Sequence, residues 1–167
     1  SGVPIQADGL ISNSRNICLT ITTADCLPLL LADRNARFFA AVHVGWRSYL
    51  SGIIENVFYK FQNNGIDANE ICCHLGPALG QCCFEVGAEV SILFEPDFIL
   101  ERNGRKFADL RSGILKKLAR LGVKQTYVSN LDECTSCMSD RYYSYRRDKD
   151  TPVQMISYIY HNGQNGG

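Results

Sequence analysis

Two apolar runs, Leu27 to Ala32 and Phe38 to Val44, stand on either side of Asp33-Arg34-Asn35-Ala36-Arg37. Apolar runs of this length, separated by turn-forming residues, predict two strands joined as a hairpin. The first run has no polar alternation. It therefore predicts a strand covered on both faces, with a layer above and a layer below its sheet. Cys26 directly precedes one arm, and His43 lies at the end of the other, seventeen residues later. In an antiparallel pair those two ends lie side by side. Gly45, the single tryptophan Trp46 and Arg47 follow at once. A thiol, an imidazole and a fixed cation thus belong to one small unit.

Beyond the hairpin, Leu50, Ile53, Ile54, Val57, Phe58 and Phe61 recur on one helical face. Ser48 is the expected N-cap, and Asn63-Asn64-Gly65 ends the helix. Its positive N-terminal end, beside Arg47, is an expected anion site. Further strands are expected at Ile17–Thr22, Ile71–Leu75, Gln125–Ser129 and Val153–Tyr160. One helix is expected to carry Val86, Val90, Leu93 and Phe94. Another runs from Leu110 to Leu121 between a cap at Asp109 and a stop at Gly122. Residues 1–9 read as an extended lead-in, 95–107 as irregular, and 161–167 as a disordered tail. A length of 167 residues fits one domain with a sizeable core.

Formal net charge is zero, which gives no electrostatic case for nucleic acid or an anionic membrane. No run approaches the roughly 18 apolar residues of a membrane span. The first residues carry no signal-peptide pattern. Eight cysteines are many for such a chain. In a domain of this size without a secretory signal they read as reduced thiols of a cytoplasmic protein, mostly buried as small hydrophobes.

The chemistry-bearing residues each have a plain and a functional reading. Cys26 and His43 are a buried thiol and a strand-end histidine, or else they share a metal or form a nucleophile pair. Asp25 caps a turn, or orients His43 or accepts a substrate hydroxyl. Cys134-x-x-Cys137 is half of a zinc knuckle or redox pair, and the other cysteine pairs, being adjacent, are poorly spaced to complete it. Tyr145-Arg146-Arg147-Asp148 sets two guanidinium groups among aromatics, as a solvated turn or an anion site. Tyr142 and Tyr143 are candidates for stacking on a flat ring. His74 reads as a core histidine, and Glu85 with Glu89 as an exposed helix face.

Five blocks together carry a resemblance. They are Thr23-Ala24-Asp25-Cys26-Leu27-Pro28, Ala41-Val42-His43-Val44-Gly45-Trp46-Arg47, Leu75-Gly76-Pro77-Ala78-Leu79-Gly80, Cys83-Phe84-Glu85-Val86-Gly87 and Tyr143-Ser144-Tyr145-Arg146-Arg147-Asp148. In order and spacing they resemble the YfiH-like family, and they cover the chain from Ala7 to Tyr160. Members of that family have been named laccase-domain proteins, multicopper polyphenol oxidases and purine nucleoside phosphorylases. The resemblance implies an α+β fold, a mixed sheet with flanking helices, similar to a toxin deamidase that uses a Cys-His pair. It implies a single domain over residues 1–167 that lacks the family's N-terminal part. It also implies a zinc site, with copper as the other candidate metal. Cys26 and His43 map onto two of its three ligands. The third is a histidine upstream of the Ala7-Asp8-Gly9-Leu10 segment, and this sequence has no such block.

The activity implied is zinc-dependent phosphorolysis of adenosine, inosine, guanosine and methylthioadenosine, with hydrolytic deamination of adenosine. On that reading Asp25, Cys26, His43 and Arg47 form the catalytic group. Arg47, Ser48, Arg146 and Arg147 hold phosphate, and Tyr143 and Tyr145 flank the base. The partners are a small nucleoside and phosphate. Three rival readings go with the same family names: a copper-dependent polyphenol oxidase, a Cys-His amide hydrolase in peptidoglycan editing, and an inactive truncated binding module. Three histidines in the whole chain are too few for a multicopper set.

Overall fold

The computed structural model describes residues 7–149 and 153–161. The expected tail therefore lies, beyond His161, outside the described residues. The hairpin forms as its sequence predicts. Strand β3 (Leu27–Asp33) pairs antiparallel with β4 (Phe39–Val44), with Leu27 opposite Val44 and Pro28 opposite His43. On its other edge β3 pairs antiparallel with β5 (Ile71–Leu75). β1 (Gly9–Ser12) adds to the outside of β4, and β9 (Val128–Asn130) lies parallel on β5. The order is β1-β4-β3-β5-β9, so β3 is central.

The continuous apolar character of β3 has the cause expected. One face of the sheet meets α2 (Ile53–Gln62) and α4 (Leu110–Arg120) in the main core, through Ile54, Phe58, Phe61, Ile114 and Leu118. The other face is covered by a two-stranded ribbon of β2 (Cys18–Thr23) and β10 (Met155–Tyr160). Leu19 and Ile21 of β2 pack there on Phe39 and Ala41, with Leu30, Ala32 and Ile159 around them. The architecture is α+β, and the main sheet is mixed. Among the described residues no helix is long and apolar enough to cross a membrane.

The hairpin turn is held from inside. Asp33 is 2% exposed. Its carboxylate accepts from the Phe38 amide at 2.7 Å, Arg37 Nε at 3.0 Å and the Asn35 amide at 3.2 Å. Burial pushes its pKa up, but those hydrogen bonds outweigh burial and leave it below the ordinary carboxylate value.

Several expectations are corrected. β1 overlaps the expected lead-in only at Gly9, and its other residues, 10–12, carry no strand expectation. The long helix after the hairpin is two helices. α1 (Trp46–Leu50) ends at Ser51, Gly52 takes a left-handed φ of 83°, and α2 begins anew. The apolar stripe runs on across this break and hides it. The expected helix at 86–94 shrinks to α3 (Ala88–Ser91), because β6 (Glu85–Val86) takes up its start. Glu85 is therefore a strand residue paired with Arg105, not part of a helix face. The stretch read as irregular holds a hairpin of β7 (Ile99–Arg102) and β8 (Arg105–Ala108), to which β6 pairs. The strand expected from Gln125 starts as a 3-10 turn and becomes β9 only at Val128. The cap of α4 is as expected: Asp109 accepts from the Ser112 amide at 2.9 Å. Of the eight cysteines only Cys73 is buried, against the expectation of mostly buried thiols. His74 is exposed rather than in the core, with Nδ1 3.1 Å from Ser129 Oγ.

Candidate active site

The site is built where the Cys26 end of the hairpin meets two loops and a short helix. β3 starts at Leu27, so Asp25 and Cys26 form the corner before it. Asp25 holds a φ of 85°, uncommon for a residue with a side chain. Three contacts fix it there. Its carbonyl accepts from the Leu79 amide at 2.8 Å. Its Oδ1 accepts from the Thr135 hydroxyl at 2.6 Å, and its Oδ2 from the Arg146 amide at 2.6 Å. Arg146 belongs to α5 (Tyr145–Asp148), capped by Ser144. Asp25 thus ties loop 76–81, loop 131–138 and α5 to one corner. Its sequence-derived role of orienting His43 is replaced by this one.

Around Asp25 and Cys26 opens a cavity of about 630 Å³. Leu79, Phe84, Leu110 and Trp46 give it apolar walls. Arg47, Arg111, Arg146 and Lys149 face it as cations, with Asp25 as the acidic residue among its lining. The Arg47 guanidinium lies over the Trp46 ring at 4.2 Å. Arg111 is 8% exposed and holds Asn130 Oδ1 at 2.7 Å and the Gly76 carbonyl at 2.9 Å. Burial, against the pull of Asp132, lowers its pKa. Arg146 Nη2 donates to the Glu85 carbonyl at 3.1 Å.

Cys26 lines this cavity, close under Gly45, where an added Cβ would come within 3.2 Å of its Sγ. Burial pushes the Cys26 thiol up, and the charges of Asp25 and Asp8 push the same way. A thiol shifted this way is a poorer free nucleophile than an ordinary cysteine. His43 stands opposite Pro28, at the end of the hairpin that Cys26 precedes. Its Nδ1 is 3.4 Å from Asp8 Oδ1, and its amide donates to the Asp8 carbonyl at 2.7 Å. His43 does not line the cavity. Thiolate and imidazole are donors of the right kind for zinc or copper. Among the described residues, however, no third histidine, cysteine or carboxylate completes a group of three with them. A catalytic zinc takes three protein ligands, so the described donors fall one short.

Of the residues singled out in the sequence, Asp25, Cys26, Arg47, Tyr145 and Arg146 meet at the cavity. Four others do not: His43, as described above, and Ser48, Arg147 and Tyr143. Ser48 is the third residue of α1, not its cap. Its hydroxyl accepts from the Gly45 amide at 3.0 Å and donates within the turn, so it is not presented to phosphate. With α1 only five residues long, the helix-end anion site also loses its basis. Arg147 is consumed structurally. It grips the Asp148 carboxylate and the carbonyls of Thr135, Ser136 and Tyr142. Tyr143 is half-buried away from the cavity lining. Sequence reading missed Arg111, Lys149, Phe84 and Thr135. Arg111 had a signal: it shares the apolar stripe of Ile114 and Leu118, where a cation is out of place.

A family model described as "Multi-copper polyphenol oxidoreductase laccase" matches residues 2–162. The chain belongs to this laccase-domain family. Among curated relatives, the purine nucleoside phosphorylase YfiH of Shigella flexneri is 36% identical over 161 residues. That match covers 93% of this chain and 64% of the relative. The purine nucleoside phosphorylase of Aquifex aeolicus is 33% identical, over 93% of this chain and 72% of the relative. The laccase-domain chain thus spans less than two thirds of the Shigella protein. Among solved structures, YlmD of Geobacillus stearothermophilus is similar with a TM-score of 0.87 and 27% identity. That match covers 93% of this chain and 61% of YlmD. Neisseria meningitidis protein NMB0706 is similar with a TM-score of 0.84 and 32% identity, over 94% and 65% of the two chains. The α+β architecture is shared with these laccase-domain folds.

Proposed function

We propose that this chain carries the reaction site of a purine nucleoside phosphorylase, acting on adenosine, inosine, guanosine and methylthioadenosine. One observation carries the reading: a single cavity of about 630 Å³ joins an aromatic and apolar wall to a cationic one at Asp25 and Cys26. A nucleoside and phosphate need both walls at once. The names of the relatives from Shigella flexneri and Aquifex aeolicus support the same reaction.

In phosphorolysis a phosphate oxygen bonds to C1′ of the ribose while the C1′–N bond to the purine breaks. The bonding electrons leave with the purine, which takes up through water the proton that the attacking hydrogen phosphate gives up, and the products are the ribose 1-phosphate dianion and the neutral free base. Arg47 and Arg146, with Lys149, hold the phosphate dianion against the electron-poor C1′ of the transition state. Charges fixed in place before the reaction stabilise such a transition state without having to reorganise. Phe84 and Tyr145 cover the faces of the purine, and Arg111 sets the positive potential behind the departing base. Asp25 acts through others: by fixing the Arg146 amide and Thr135 it holds α5 and loop 131–138 at the distance that alignment of the reactants requires. No step is assigned to a metal, because the described residues give two donors where three are needed. Hydrolytic deamination of adenosine needs an activated water, and the cavity supports it less than phosphorolysis for that reason.

The oxidase in the family's description would need several clustered histidines. His43 and His74 stand on different strands and belong to no group of three donors among the described residues. The decisive assay incubates the purified chain with inosine and phosphate. Hypoxanthine release that depends on phosphate is the expected result. Nucleoside binding without base release would make the chain a binding module and end the phosphorylase reading.

A further inference from the structure

Four cysteines meet outside the cavity. Cys82 and Cys83 sit in a turn where the amides of Cys83 and Phe84 both donate to the Gly80 carbonyl at 2.9 Å. Cys134 and Cys137 sit in a second turn, closed by the Met138 amide on the Cys134 carbonyl at 3.1 Å. The two turns are laced together. The Ala78 amide donates to the Glu133 carbonyl at 3.2 Å, and the Thr135 amide to the Ala78 carbonyl at 3.0 Å. The four Sγ atoms all lie within 4.8 Å of one another. Cys137 Sγ is 3.5 Å from Cys82 Sγ and 3.4 Å from Cys83 Sγ. Adjacent cysteines looked poorly spaced for chelation, but the turn carries both toward Cys137.

Zinc bonded to four thiolates at about 2.3 Å in a tetrahedron sets its sulfurs about 3.8 Å apart. The cluster is already close to that size. A disulfide draws two sulfurs to about 2.0 Å and has no use for the other two. The backbone also fits a thiolate cage. The Gly80 amide donates to Cys134 Sγ at 3.3 Å. A Cβ on Gly80 would press to 3.1 Å from Cys134 Cβ and 3.2 Å from Cys82 Sγ, so glycine is what lets this strand of loop close on the sulfurs. Arg102 donates to the Cys82 carbonyl at 3.3 Å, setting a positive charge next to a cage that would be net negative.

We propose that Cys82, Cys83, Cys134 and Cys137 bind one divalent zinc-like ion in a closed tetrathiolate site, separate from Cys26 and His43. Each thiol gives its proton to solvent as its sulfur bonds to the metal. No electron is transferred. The site has no open position and does no chemistry. It locks loop 76–84 to loop 131–138. The first carries Ala78, Leu79 and Phe84 into the cavity, and the second carries Thr135 onto Asp25. The proposal stands whether or not the cavity is a phosphorylase site.

The test uses the whole chain purified in reductant, stripped with chelator, then loaded with zinc or cobalt(II). The expected result is one bound equivalent that survives in Cys26→Ala and is lost in Cys134→Ser and Cys137→Ser. The cobalt form should show thiolate-to-metal charge transfer and the strong visible bands of a tetrahedral site. Zinc at a thousandfold excess over its Kd should raise the Tm of the stripped protein by about 10 °C. Full metal loading in Cys134→Ser and Cys137→Ser would overturn the proposal, as would a cobalt spectrum without thiolate charge transfer. If those variants fail to fold, the cobalt spectrum of Cys26→Ala, which keeps the four-cysteine cluster and removes the other candidate thiolate, decides alone. Failure of metal to bind the reduced chain would equally overturn it. So would a disulfide within the cluster that persists in reductant and metal.

Discussion

Asp25 is the residue on which the site depends for its shape, and its variants should separate charge from backbone. Asparagine takes a positive φ at lower cost than alanine does. Asp25→Asn should therefore cost about 1 kcal/mol, and Asp25→Ala about 3 kcal/mol, since alanine adds backbone strain to the loss of both 2.6 Å hydrogen bonds. Urea unfolding of both variants measures the difference. The neighbouring arginines should also part. Arg146→Ala should raise the KM for phosphate about tenfold, the weight of one charged hydrogen bond. Arg147→Lys should leave that KM unchanged and destabilise the fold by about 2 kcal/mol, because lysine cannot reproduce the fork on Asp148 and three carbonyls. Steady-state kinetics and thermal melts on the same preparations distinguish the two outcomes. In the sequence these arginines are adjacent and chemically alike. Only the tertiary environment of Arg147, which surrounds it with backbone carbonyls, makes one structural and leaves the other at the cavity.

At the scale of elements, the β3–β4 hairpin was legible because two local signals agreed: unbroken apolar runs and a polar turn between them. The turn also yields a pH prediction. The native pKa of Asp33 lies below its unfolded value of about 3.9. Its contribution is therefore complete above that pH and is lost as the pH falls through the lower native value. Asp33→Asn should destabilise the protein by about 2 kcal/mol at pH 7 and by much less at pH 2. Denaturant titrations at the two pH values give the comparison. The split between α1 and α2 was not legible, because Leu50, Ile53 and Ile54 continue one stripe across Gly52. The β7–β8 hairpin escaped notice for another reason. Its strands are four residues each, too short for alternation to stand out against Glu101, Arg102, Arg105 and Lys106.

For the molecule as a whole, the candidate site was half written in the sequence. Asp25, Cys26 and Arg47 were visible because they are near in chain to a recognisable hairpin. Thr135, Lys149 and Arg111 reach the same place from distant segments, and no local pattern announces such a meeting. The cysteine cluster is the extreme case, joining two turns that each look ordinary alone. Metal analysis offers a separate test of the Cys26 and His43 pair. With two described donors, neither Cys26→Ala nor His43→Ala should lower the metal content of this chain by a full equivalent. A full equivalent lost in either variant would show that a third donor reaches them.

The ribbon of β2 and β10 also has a meaning in time. Its two strands come from opposite ends of the sequence, with Cys18 opposite Tyr160. During synthesis, the strand that completes the cover emerges more than a hundred residues after β2 and the outer face of the hairpin. For that interval Leu19, Ile21, Phe39 and Ala41 lack the shelter they have in the finished fold. Such long-range pairing is slow and leaves strand edges open to other chains. Until β10 has been made, that face of the nascent chain stays open to aggregation and to capture by chaperones.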